Sequence, residues 1–355
     1  PLQEKMALYF HGHFTTAAIQ KGVWPTYVWA QNELFRNSAL GNVRSLTLAV
    51  SQDPAMLLYL DNARSAKAHP NENYARELME LFTLGRGNYS EEDIRQSARA
   101  FTGWTVDGRT GQFVFNARRH DDGSKTFLAR SGNFDGSNIV EIIYEQPACA
   151  RFWAQSLLNF FVYNNPEPQL INELANLIEK SDYDLAPVIS TLLQSSVFFS
   201  PRAYRALVKS PVEFVVGAVS TFGLSQIDAP AMRALQQMGQ VLFYPPSVAG
   251  WPGGSNWITS QTMIARQNFI AGLVNVPAMS ESWIDRAPLD PHLAAKEIVA
   301  NLLQNDAPEQ AYGQLVDYLN GSNTSALKSF STENYQERVR GAAYLAAAMP
   351  AYQLS

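Results

Sequence analysis

Cysteine occurs once in this 355-residue chain, at Cys149. An internal disulfide is therefore impossible and a cysteine-based metal cluster is excluded. A single thiol fits the cytosol, and equally a periplasm or cell surface where many proteins carry no disulfide. Charge is also scarce: only 17% of residues are Asp, Glu, Lys or Arg, which excludes a disordered or coiled-coil chain. Positive charge is in deficit, 27 Lys and Arg against 32 Asp and Glu, for a net charge of −5. With no basic stripe, the chain repels a phosphate backbone, and no nucleic-acid partner is expected. No run reaches the roughly 18 apolar residues that would span a membrane, so no transmembrane segment is expected. No export signal is visible, but the chain opens abruptly at Pro1, already in helical pattern, and reads as trimmed at its start. The motifs G-x-S-x-G, the phosphate-binding P-loop, G-x-G-x-x-G after a strand and H-E-x-x-H are all missing, so the chemistries they serve have no recognisable carrier.

What remains is 46% apolar and dominated by helical periodicity. Apolar stripes predict helices at the start of the chain, over 26–35, 43–50, 54–60 and 71–84, and from Ser90 towards Trp104. Further helices are predicted over 152–161, 171–178, 188–197, 211–222, 229–242, 262–274, 291–303, 308–319 and 333–349. Between them "WTVDGRTGQFVFN" alternates and carries Asp-Gly and Thr-Gly turn signals, so it reads as a hairpin; "KTFLARSGNFDG" adds a strand. The expected fold is mainly α, a multi-helix globular array with a small β-hairpin insertion around 103–135. The expected organisation is a main domain over 1–276, a linker over 277–291, and C-terminal helices over 292–355 packing on the main domain.

"HPNENYARELMELFTLG", residues 69–85, is the most informative stretch. At about 100° per residue, Tyr74, Leu78, Leu81 and Phe82 form a core stripe, and Asn73, Glu77 and Glu80 share the neighbouring arc. Asn71 is the expected N-cap, Glu72 suits the positive helix end, and Gly85 suits a left-handed cap. Arg76 is placed to pair with Glu80 at i+4, which as a solvated ion pair is worth a few tenths of a kcal/mol. Glu77 borders the apolar stripe and needs a partner, a metal ion or a raised pKa.

Histidine is rare, five in all. In "YFHGHF", His11 and His13 oppose each other on a regular helix unless Gly12 loosens it and lets them converge; with Glu77 they form the candidate set for a divalent metal ion. The bland alternative is a core His13 bound to a carbonyl. In "RRHDDGSKTF", a turn at Asp121, Asp122 and Gly123 would project Arg119, His120 and Lys125 towards an anionic ligand, with His120 as an acid or base; a polar hairpin tip is the commoner reading. "GNFDGSN" only loosely matches a calcium loop. Trp251 and Trp257, in a glycine-rich loop, are a candidate stacking surface for sugar, although tryptophans that pin a loop to the core are commoner.

Together these stretches resemble a family of bacterial proteins catalogued as domain of unknown function 1800. The resemblance rests on "YFHGHF", "DPAMLLYLDN", "PNENYARELMELFTLGRGNYSEEDIRQSARAFTGW", "RRHDDGSKTFL", "RALVKSPVEFVVG", "LFYPPSVAGWPGGSNWI" and "MPAYQLS", and covers nearly the whole chain. Tyr9 and Gly12 depart from the Trp and Asn more usual there. The resemblance implies an exported protein, periplasmic or extracellular, encoded beside sulfatase-like and phosphatase-like envelope proteins, and it implies no reaction. The expectation taken into the structure is an envelope protein with a polar pocket that binds a ligand or metal and hydrolyses or modifies a surface glycan. Glu77 or His120 would be the base and Arg119 or Lys125 the anion clamp; Asn71, Glu72, Asn73, Arg76, Glu80 and Asp121 would contact ligand. The alternatives are a non-enzymatic scaffold partnering the sulfatase- or phosphatase-like neighbour, and a carbohydrate-binding module using Trp251 and Trp257.

Overall fold

The computed structural model describes residues 1–224, 229–275, 283–284, 286–321 and 332–355, without the side chains of 332–334. It is mainly α, with two small antiparallel sheets among the described residues. The chain forms two compact units: Pro1–Ala203 with Leu242–Pro252, and Tyr204–Val241 with Gly253–Ser355. This division cuts across the expected 1–276 domain. Residues 277–282 and 285 of the expected linker lie outside the described residues.

The first unit holds α1 (Leu2–His13), α2 (Pro25–Asn37), α3 (Val43–Ser51), α4 (Pro54–Tyr59) and α5 (Glu72–Glu77). After these come α6 (Glu91–Ala100), α7 (Gly136–Tyr144), α8 (Pro147–Phe161), α9 (Pro168–Lys180) and α10 (Leu185–Gln194). Local chemistry sets many of the starts. Asp53 accepts from the Met56 N–H ahead of Pro54 at the first helical position, and Ser90 with Asp93 forms a capping box. Asp135 with Asn138 caps α7 in the same way, so "GNFDGSN" is a helix start. The insertion is not one hairpin with an added strand. β1 (Trp104–Val106) pairs with β2 (Phe113–Phe115), and β3 (Lys125–Phe127) pairs separately with β4 (Arg130–Gly132).

The helix over 71–84 changes character halfway. α5 is α-helical, whereas Leu78–Thr83 is π-helical, with the Thr83 hydroxyl donating to Leu78 O at 2.5 Å. The wider π turn adds a residue per turn, so side chains beyond Glu77 rotate off the arc that an α-helix would give them. The segment ends as expected on Gly85 at φ +74°.

The second unit contains α11 (Pro211–Thr221), α12 (Ala229–Gln237), α13 (Ser260–Val274), α14 (Pro291–Leu303), α15 (Glu309–Asn320) and α16 (Thr332–Ala348). Its core is mostly aliphatic, around Ile298, Leu302, Leu319, Ala342 and Ala346, with Phe214, Phe222 and Phe269 among them. A polar strap closes it. Val208 bridges Leu354, and the fully buried Arg266 donates to Lys209 O at 2.7 Å and to Gln353 Oε1 at 3.2 Å. Burial pushes Arg266 down to about 10 and Lys209 down to about 8. The "MPAYQLS" stretch thus has a structural task in this unit, covering two cations.

Candidate functional site

The structure gives most of the expected site residues local partners. His11 accepts the Phe243 N–H on Nε2 at 3.0 Å and packs edge-on against Trp251 at 5.3 Å between centroids. His13 donates Nε2–H to Phe82 O at 2.9 Å, with its ring 4.4 Å from that of Trp153. Desolvation pushes both imidazoles down to about 4, so both are neutral at pH 7. α1 stays regular through Gly12, so the pair does not converge. The backbone needs glycine nearby for another reason: a Cβ on Gly250 (φ +76°) would sit 2.5 Å from Gly12 O. Glu77 shares no hydrogen bond or ion pair with either histidine, and no group of three His, Cys, Asp or Glu among the described residues could hold a metal ion. The expected set of His11, His13 and Glu77 therefore does not fit a metal.

The turn after His120 is turned inwards rather than projecting. His120 is buried and donates Nδ1–H to Thr102 O at 2.8 Å. Lys125, 1% exposed, donates Nζ to Asp121 O at 2.5 Å and to Gly123 O at 3.0 Å. Asp121 takes a two-point clasp from Arg99, at 2.7 and 3.1 Å, which holds its carboxyl down at about 2. Arg119 donates to Ser65 O at 3.2 Å. The anion clamp of Arg119 and Lys125 does not form: Lys125 is spent on two carbonyls before it reaches solvent, and the half-buried Arg119 holds one.

On the opening helix, Asn71 caps as expected, accepting from the Asn73 N–H at 2.9 Å; Asn73 itself is exposed. Arg76 does not pair with Glu80. It binds Glu91 at 2.9 Å and Glu72 at 3.3 Å, while Glu80, carried round by the π turn, holds Arg86 at 2.6 Å and accepts from Tyr89 at 3.3 Å. Glu77 is the exception. It is half-buried and its carboxylate makes no hydrogen bond or ion pair among the described residues, and desolvation, then the charge of Glu80, raises its pKa. Burial first, and then Glu77, raises the Tyr59 hydroxyl as well. No hydrogen bond or ion pair joins Glu77 to His120. Trp251 belongs to the first unit, half-buried against His11, and Trp257 to the second, where it is buried. Trp257, being buried, offers no open stacking face.

The structure instead opens a cleft of about 690 Å³ in the first unit, between the end of the π segment and α8. That is within the range of about 300–1,000 Å³ typical of small-molecule sites. One wall carries Gly85, Arg86 and Asn88; the other is the face of α8 bearing Arg151, Gln155 and Asn159, with Phe152 and Ser156 beside it. Residues 151, 155 and 159 are four apart and therefore stack on one helix face. Arg151 makes no hydrogen bond or ion pair among the described residues. Gly85 lets the walls meet, since a Cβ there would lie 3.2 Å from the Phe152 ring. Asn88 turns its amide N–H back onto Leu84 O at 2.9 Å, leaving its carbonyl oxygen for a ligand. Asn159 accepts from the Asn165 N–H at 3.2 Å, leaving its amide donors, and Ser156 accepts from Tyr9 at 2.7 Å, leaving its own proton. Sequence reasoning missed this site. Its one legible signal is the polar row Arg151, Gln155, Asn159 on an otherwise apolar helix.

With this geometry in view, the chain can be placed. A family model described as "Protein of unknown function (DUF1800)" matches residues 1–354, and the chain belongs to that family. No curated protein and no solved structure matches it. No helix among the described residues is long and apolar enough to cross a membrane.

Proposed function

We propose that this protein is a carbohydrate-binding component of the cell envelope and that the cleft beside α8 is its binding site. One observation carries the reading: a cleft of about 690 Å³ lined by amides, a hydroxyl, two guanidinium groups and the Phe152 ring. Amides match sugar hydroxyls because each supplies a donor and an acceptor, and an aromatic ring supplies apolar contact area. Binding is favoured over hydrolysis because neither carboxylate nor imidazole lines the cleft, and glycoside hydrolysis ordinarily needs two carboxyl groups across the bond. The periplasmic or extracellular location rests on the family resemblance and is proposed with it.

The test is a glycan array probed with the full chain, followed by mass spectrometry of any captured glycan. The reading expects capture with the glycan recovered intact. Silence across the array overturns it, and cleavage of the captured glycan overturns its non-catalytic part.

A second reading, a scaffold for the sulfatase- or phosphatase-like neighbour, draws support from the closed network around Asp121 and Lys125, whose polar groups serve the fold. Co-purification of the two proteins tests it, and their separate elution at micromolar concentration would count against it.

A further inference from the structure

The cleft has one charged group with nothing to do. Arg151 stands exposed on its α8 wall with no protein partner among the described residues, although Glu72, Glu80, Glu91 and Asp121 elsewhere in the same unit each hold an arginine. Arg86, the other guanidinium, is already fixed to Glu80 and sits at the cleft with its geometry set. The lining carries no Asp or Glu, so its charge is positive in a chain whose net charge is −5. A guanidinium presents a planar fork of donors that matches a carboxylate or an oxyanion of sulfate at two points. Next along the helix stand Gln155 and Asn159, spaced to follow the hydroxyls of an adjoining ring.

Resting on the carbohydrate reading, we infer that the cleft selects acidic sugars, with the anionic group seated on Arg151 and the neighbouring hydroxyls on Gln155, Asn159 and Asn88. The polarity follows from the helix: Arg151 precedes Gln155 and Asn159 along α8, so the acid group lies nearer its N-terminus than the hydroxyls do. Arg86 stands on the opposite wall with its charge largely offset by Glu80, so Arg151 is the group that sets the preference.

The experiment is isothermal titration of the full chain with trigalacturonate, with a trisaccharide sulfated at one hydroxyl, and with neutral trigalactose. The expected result is tighter binding of an acidic ligand by about tenfold or more, weakening as salt rises. The uronate and sulfate arms tell which anion is preferred. Arg151→Ala should remove that preference while leaving the urea midpoint unchanged, because the side chain has no partner to lose. Arg151→Lys should keep the charge but lose the fork, and so recover only part of the preference. Equal affinity for the neutral and acidic trisaccharides, or an Arg151→Ala protein that still prefers acid, overturns the inference and leaves the carbohydrate reading standing. Failure of all three ligands to bind overturns the inference, and the glycan array decides the carbohydrate reading separately.

Discussion

Two polar regions of the first unit can be set side by side. The loop over 119–125 is rich in charge, lies in a family stretch, and looks like an active site on paper. Each charged group on which that expectation rested has a partner there: Lys125 on two carbonyls, Asp121 on Arg99, Arg119 on Ser65. The face of α8 is chemically plainer, yet its arginine has no partner and its amides keep donors or acceptors in reserve. Buried polar groups must be satisfied, so a saturated network is what a fold uses to fix a loop. Exposed groups at the wall of a cleft that hold only water keep their donors and acceptors for a ligand. Residue type alone points to the loop, whereas the bonding state of each residue points to the cleft proposed as the binding site.

The comparison can be broken most forcefully at the loop. Lys125→Ala leaves Asp121 O and Gly123 O without their donor and empties a buried volume, and should cost about 3 kcal/mol in urea unfolding. A loss under 1 kcal/mol would show that the network does not hold the loop. At the junction between the π segment and α8, Gly85→Ala must adopt a positive φ and press on Phe152. That should cost about 1–2 kcal/mol and also weaken glycan capture, because Gly85 lines the cleft.

A third prediction concerns pH and uses buried groups outside both regions. His11 and His13 sit near 4 in the fold against an ordinary 6.5, so the unfolded chain binds more protons between those values and stability is lost as pH falls through that window. Asp53, raised to about 7 by burial, has the opposite sign: its folded form holds a proton that the unfolded chain has released, and its contribution weakens as pH rises from about 4 to about 7. Asp53→Asn should therefore steepen the acid loss by up to about 1.4 kcal/mol per pH unit, read by unfolding at pH 4.5, 5.5 and 6.5. A parallel profile would show that Asp53 is not buried as described. The smallest effect belongs to Arg151→Ala, whose stability should stay within about 0.5 kcal/mol of the parent.

Much of the fold was legible in the sequence because helices announce themselves locally. The apolar stripes, Asn71 as a cap, the Ser90 start and Gly85 as a left-handed stop are all short-range signals, and all stand. The π turn was not legible. It moves Glu80 from Arg76 to Arg86 through a change in turn width that no single residue type encodes. The inward folding of Lys125 was hidden as well, because a lysine beside two aspartates reads as surface until the carbonyls that receive it are placed. The cleft combines residues 84–88 with 148–159 and has no contiguous motif. Only the four-residue spacing of Arg151, Gln155 and Asn159 marked one of its walls. The isolated Glu77 was singled out by helix geometry, and its raised carboxyl agrees with that reasoning, while the metal partners proposed for it do not assemble.

The most direct measurement compares trigalacturonate affinity in two folded variants by titration calorimetry, Lys125→Met and Arg151→Ala. The account predicts that Lys125→Met, though less stable, binds like the parent, and that Arg151→Ala, though equally stable, loses about tenfold or more in affinity. Loss of binding in the lysine variant with normal binding in the arginine variant would contradict it.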